Sequence, residues 1–139
     1  ILFFLDEVWG ERATIGYEFM DNKLYRAKIF IEKEYSNRQR PLDDLMRIRA
    51  DLVKTYGEPV SEKFVWHNER EKNFPPAWGW AIFRSELEII AQWQDEETLI
   101  TAYLGSPKIF ETELSVTYES YDAKKALETE AAKDFLILP

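Results

Sequence analysis

The sequence predicts an α+β domain, an antiparallel sheet of about 6–8 strands with one main helix packed on a face. Three observations carry this. Apolar residues alternate with period two through Ala13–Glu32 and again after Glu86. A single stretch, Pro41–Pro59, has helical periodicity. The later strand segments are separated by turns at Arg84–Glu86 and Asp95–Glu97, too short for the crossovers that parallel strands need. The expected order is β-β-β-α-β-β-β-β-β-α.

The first strand is "ILFFLD", turning through Trp9-Gly10. Strands near 13–20 and 24–33 follow, where Ile15, Tyr17 and Phe19 and then Tyr25, Ala27, Ile29 and Ile31 mark one face each. Asp21-Asn22 between them tolerates the positive φ of a tight hairpin. In the helix, Pro41 suits the first turn and Asp43 and Asp44 complement the positive dipole end. Leu42, Leu45, Met46, Ile48, Leu52, Val53 and Tyr56 form its apolar face, and Gly57 with Pro59 ends it. Further strands are expected near 61–67, 77–84, 87–94, 97–104 and 112–120, with "NEREKNFPP" (68–76) as a polar loop. A single domain spans 1–121. Residues 122–139 read as a peripheral Ala/Glu/Lys helix and tail with Asp122 as N-cap.

Composition narrows the function classes. The chain has 139 residues, enough for one domain with a real core. Its net charge of −8 opposes phosphate backbones, so no nucleic-acid partner is expected. The densest basic spot, Arg38–Arg40, reads as a solvated turn. No apolar run approaches a membrane span. Cysteine is absent, which removes thiolate nucleophiles and cysteine zinc sites. The chain begins at Ile1 rather than methionine, as it would if a leader or lipid anchor had preceded it.

No catalytic or cofactor motif is present. The only histidine, His67, lacks metal partners at ligand spacing and reads as a strand-end residue. No serine lies in a nucleophile elbow. The acidic pairs Asp6-Glu7 and Asp43-Asp44 and the run Asp95–Glu97 fit turns and helix starts. A hydrolase built on Glu88 or Glu119 ranks last. Metal and cofactor sites are therefore expected to be none.

The candidate ligand-binding residues are Trp66, Trp78, Trp80, Trp93 and Arg49. On a strand, Trp78 and Trp80 share one face, and Trp66 and Trp93 would join them from neighbouring strands. Such a set lines a groove or, as the preferred reading, fills the core. Arg49 falls within the helix's apolar stripe. Its head reaches water, binds an anion, or meets a buried carboxylate.

The patterns Y-x-F-x-x-N-K-L-Y-R-A (Tyr17–Ala27), L-x-x-x-Y-G-x-P (Leu52–Pro59), Trp66 and W-x-x-E-x-T-x-I (Trp93–Ile100) resemble a family of uncharacterised bacterial domains, many of them exported or lipoprotein-like. The resemblance covers roughly residues 1–121. It implies an antiparallel sheet with a packed helix and a cell-envelope location, and it transfers no catalytic residue. The expectation is a non-catalytic protein- or peptide-interaction module. The alternative is a small-ligand domain with an aromatic pocket between helix and sheet.

Overall fold

The computed structural model describes residues 1–122. It is an α+β fold built on one seven-stranded antiparallel sheet, in the order β1-β2-β3-β7-β6-β5-β4. The strands are β1 (Leu2–Val8), β2 (Glu11–Met20), β3 (Lys23–Ile31), β4 (Ser61–Trp66), β5 (Leu87–Gln94), β6 (Thr98–Lys108) and β7 (Glu111–Ser120). The helices are α1 (Arg40–Tyr56) and the short α2 (Trp78–Phe83), preceded by a 3-10 turn at Pro75–Ala77. The helix expected over 122–139 lies outside the described residues.

Both early hairpins close as their turn residues dictate. Asp21 and Asn22 have φ of 52° and 63°, and Trp9 and Gly10 have 52° and 75°. Positive φ at both central positions matches the twist of the flanking strands. The two meanders join where β3 pairs with β7, Arg26 opposite Glu119 through Phe30 opposite Ser115. At the other end of α1, Gly57 adopts φ 84° and its N–H returns to the Val53 carbonyl. The Trp93 indole donates to the Gly57 carbonyl at 2.8 Å, so the helix stop is fastened to β5.

One sheet face carries the core. Ala13, Ile15, Ile29, Ile31, Leu87, Ile89, Trp93, Ile100, Ala102, Leu104, Leu114 and Val116 point from it towards Leu45, Ile48 and Leu52 of α1 and Ala81 and Ile82 of α2. Met46 and Tyr56, expected on the buried stripe, are exposed at its margins. The opposite face is open and mainly polar. One row across it, by strand register, reads Ser61, Gln92, Thr101, Thr117, Lys28, Gly16, Phe3. Such alternation is what a sheet with one wet face requires.

A network of charges ties α1 to the first hairpins. Asp44, nearly buried, accepts from Tyr35 Oη at 2.9 Å and Lys33 Nζ at 3.3 Å. Lys33 also reaches Glu11 at 2.9 Å, and Arg47 donates to the Trp9 carbonyl at 2.6 Å. The Glu11 and Asp44 bonds raise the Lys33 pKa against the opposing pull of burial.

One strand expectation is overturned. Residues 77–84 form the 3-10 turn and α2, so four strands follow α1, not five. A short apolar run does not distinguish strand from helix by periodicity. Pro75 and Pro76 supply helical φ where no N–H is needed. Gly79 then lets α2 lie against the backbone before α1, its N–H donating to Gln39 Oε1 at 2.9 Å.

The glycines make this testable. A Cβ at Gly79 would collide with the Arg38 backbone carbonyl, which cannot yield, whereas one at Gly105 would meet mainly the movable end of Tyr103. Gly79→Ala is expected to cost about 2–3 kcal/mol of stability and Gly105→Ala less than about 1 kcal/mol. Chemical denaturation of both variants measures this, and equal losses would refute the assignment.

Candidate functional site

The four tryptophans named from the sequence do not converge. On a helix, positions two apart differ by about 200°, so Trp78 and Trp80 point to different sides of α2. Trp78 packs edge-to-face on Trp66 at 5.5 Å and against Phe64 at 5.7 Å. Its indole donates to the Glu71 and Lys72 carbonyls, both at 3.2 Å, which pins the loop before α2. Trp93 is 1% exposed and belongs to the core. Only Trp80 faces solvent, at 51% exposure.

Arg49 also departs from a ligand role. Its Nε and Nη2 fork onto Glu62 at 2.6 and 3.1 Å, with Glu58 at 3.6 Å. The bond to Glu62 leads the forces that raise its pKa. This chain's own carboxylates engage the guanidinium, tying α1 to β4. His67 lies on the surface with Nε2 3.3 Å from Glu88 Oε1. Among the described residues no group of three His, Asp or Glu is placed to hold a metal ion. No helix there is long and apolar enough to cross a membrane.

What the structure assembles instead lies at one end of the sheet. The exposed side of α2 carries Trp80 and Phe83, edge-to-face at 6.1 Å. The β6–β7 turn brings Phe110, whose N–H donates to the Phe83 carbonyl at 2.8 Å and whose ring lies 5.1 Å from that of Phe83. Phe110 is 57% exposed and holds φ 68° in the turn. From the segment before α1 comes Arg38. Its guanidinium sits over Phe83, 4.1 Å from the ring centre, and it donates to the Tyr35 carbonyl.

A cleft of about 320 Å³ opens beside this group, lined by Lys33, Glu34, Tyr35, Arg38, Phe83, Phe110 and Thr112. It exists because β3–β7 pairing ends at Phe30 and Ser115, after which the chain leaves the sheet towards α1. A second cleft of about 310 Å³ continues past Thr112 between Phe30–Glu32 and Pro107–Leu114. Burial, then the hydrogen bond to Asp44, pushes the Tyr35 phenol above its usual range, so it remains a donor.

Arg38 differs from the other partly buried arginines. Arg26, Arg49 and Arg84 each meet a carboxylate. Among the described residues none lies within ion-pair distance of Arg38. The expected turn is present at Arg38 and Gln39, but the Arg38 side chain is half-buried and stacked rather than solvated. No sequence signal places Phe110 or Arg38 beside α2, because their meeting depends on the turn of α2 and on a long-range hydrogen bond.

Glu86, three residues after α2, anchors a separate charge cluster. It is 8% exposed and accepts from Arg70 and from Arg84 at 3.2 Å, while Arg84 also meets Glu71 at 3.6 Å. Burial pushes the Glu86 carboxyl up, but the two arginine bonds outweigh it and the net direction is down. No protein-family model, curated protein or solved structure matches the chain.

Two outcomes follow from this geometry. Trp80→Phe should remove most of the emission that acrylamide quenches readily; an unchanged quenching profile would place the exposed indole elsewhere. The Glu86 carboxylate holds its stabilisation above the unfolded value near ~4.3 and loses it as pH falls through its lower folded value. Urea unfolding between neutral and acid pH should therefore show a shallower pH dependence for Glu86→Gln than for the parent.

Proposed function

We propose that this domain is a non-catalytic module that binds a protein or peptide, and, on the sequence resemblance, one of the bacterial cell envelope. The observation that carries the reading is Arg38 stacked on Phe83, without an ion-pair partner among the described residues and flanked by exposed Trp80 and Phe110. Aromatic residues and arginine are the side chains that dominate binding energy at protein interfaces. Here they are ordered before any partner arrives. The Phe83 ring and the Tyr35 carbonyl fix the guanidinium, so little rotamer freedom is left to lose.

The chemistry suggests what the partner presents. Aromatic faces take an apolar or aromatic side chain. A guanidinium already resting on a ring favours a carboxylate, which it meets with two donors. The cleft is large enough for one such side chain, not for a folded surface. A short acidic-aromatic segment therefore fits better than a flat protein face.

The small-ligand alternative has less support. The space between helices and sheet is filled by Leu45, Ile48, Leu52, Ile82 and Trp93, each no more than 3% exposed. None of the four tryptophans first considered lines the clefts described above.

Selection of a displayed random-peptide library on the folded domain tests the proposal. Peptides with an aromatic residue near Asp or Glu should be enriched. Trp80→Ala and Phe110→Ser should each weaken the selected peptides tenfold or more, with the unfolding midpoint nearly unchanged. Failure to enrich any peptide, or equal binding by the variants, would overturn the reading.

A further inference from the structure

A second surface, separate from the Trp80–Phe110 site, carries its own inference. β1 is an edge strand: one side pairs with β2 from Leu2 to Val8, and the strand order begins there. Ile1, Leu2, Phe3, Phe4 and Leu5 are all exposed, between 54% and 77%. The opposite edge is protected in the usual way. β4 carries Glu62 and Lys63, both exposed, with Glu62 held by Arg49. Charged residues on an edge discourage further pairing, whereas a long apolar edge invites it. Only β1 lacks such a guard along its first half.

We propose that β1 pairs antiparallel with β1 of a second copy of this chain, joining the two sheets into one. The run is self-complementary in a register centred on Phe3. There Ile1 faces Leu5 of the second copy, Leu2 faces Phe4, and Phe3 faces Phe3. Every apolar residue of Ile1–Leu5 meets an apolar residue, and neither Asp6 nor Glu7 is set against any of them. A register centred on Leu5 would set Phe4 against Asp6 and Phe3 against Glu7, burying acids against rings.

The geometry of the joined sheet is consistent. Directly opposed residues share a face, so Phe3, which lies over Gly16 on the open face, meets Phe3 there. Leu2 and Phe4 meet on the helix side, where Phe4 already stacks edge-to-face on Tyr17 at 5.7 Å. The helices of both copies then cover the same side. A single two-fold axis at Phe3 closes the pair, so the assembly stops at two.

The absence of cysteine makes the register directly readable. In sedimentation velocity from micromolar to submillimolar concentration, the parent chain should reach twice the monomer mass. Leu5→Lys should remain monomeric at the same concentrations while keeping its circular dichroism spectrum. Under mild oxidation Phe3→Cys should form a disulfide-linked dimer. Leu5→Cys should not, because its two copies would stand about 14 Å apart and a disulfide needs Cα atoms within about 7 Å. A parent chain that stays monomeric throughout would overturn the proposal. So would a dimer indifferent to Leu5→Lys, or equal cross-linking at positions 3 and 5. A foreign strand on the same edge would leave the parent monomeric, and that outcome counts against the inference as well.

Discussion

The sheet is wider than the helical layer that covers it, and much of the molecule follows from that mismatch. Six strand spacings of ~4.8 Å give a width near 29 Å, whereas one helix with its side chains spans about 10–12 Å. The main packing of α1 falls on β6, and that of α2 on β5, β6 and β7. The strands beneath them contribute the most completely buried side chains, from Leu87 to Val116. Outwards from that centre the cover thins. β2 still buries Ala13 and Ile15, but β1 buries nothing of its apolar run. The fold therefore leaves an apolar edge because its helices lie over the other meander.

The same mismatch explains why polar contacts supplement packing in fastening α1 to the first hairpins. Beyond that packing, polar side chains join the helix to the residues flanking β2 and β3: Arg47 to the Trp9 carbonyl and Glu11, and Asp44 to Lys33 and Tyr35. Asp44 is nearly buried, so its charge needs these partners. The network also sets the path of residues 33–39. That path carries Arg38 to Phe83 and Gln39 to Gly79. The candidate site is thus a consequence of how the chain crosses from β3 to α1, and its order derives from groups that serve stability elsewhere.

How much of this the sequence disclosed depends on the range of the forces involved. The Asp21-Asn22 turn, the Gly57–Pro59 helix stop and the alternation in β2, β3, β5 and β7 are local and were legible. The segment Trp78–Phe83 was not, because six apolar residues suit a buried strand or a buried helix equally, and the choice was made by Gly79 docking on Arg38 and Gln39. With the helix in place of the strand, Trp78 and Trp80 parted, and the imagined tryptophan groove dissolved. Arg49 stood out in the sequence for its place in the apolar stripe, but its partner, Glu62, sits on a strand that only the tertiary fold brings near. Arg38 was passed over for the converse reason: three polar residues in a row look like a solvated turn until a distant ring lies beneath one of them.

Net charge and exposed apolar surface are complementary parts of one arrangement. A chain with charge −8 repels unspecific neighbours, which allows it to carry apolar surface without general aggregation. Asp6 and Glu7 end the apolar run of β1 within the strand itself, limiting how far any partner strand can extend along it. At the other surface, Arg38 has no ion-pair partner among the described residues, although Glu34 lines the same cleft. The two surfaces lie on different elements, β1 on one side and α2 with the β6–β7 turn on the other.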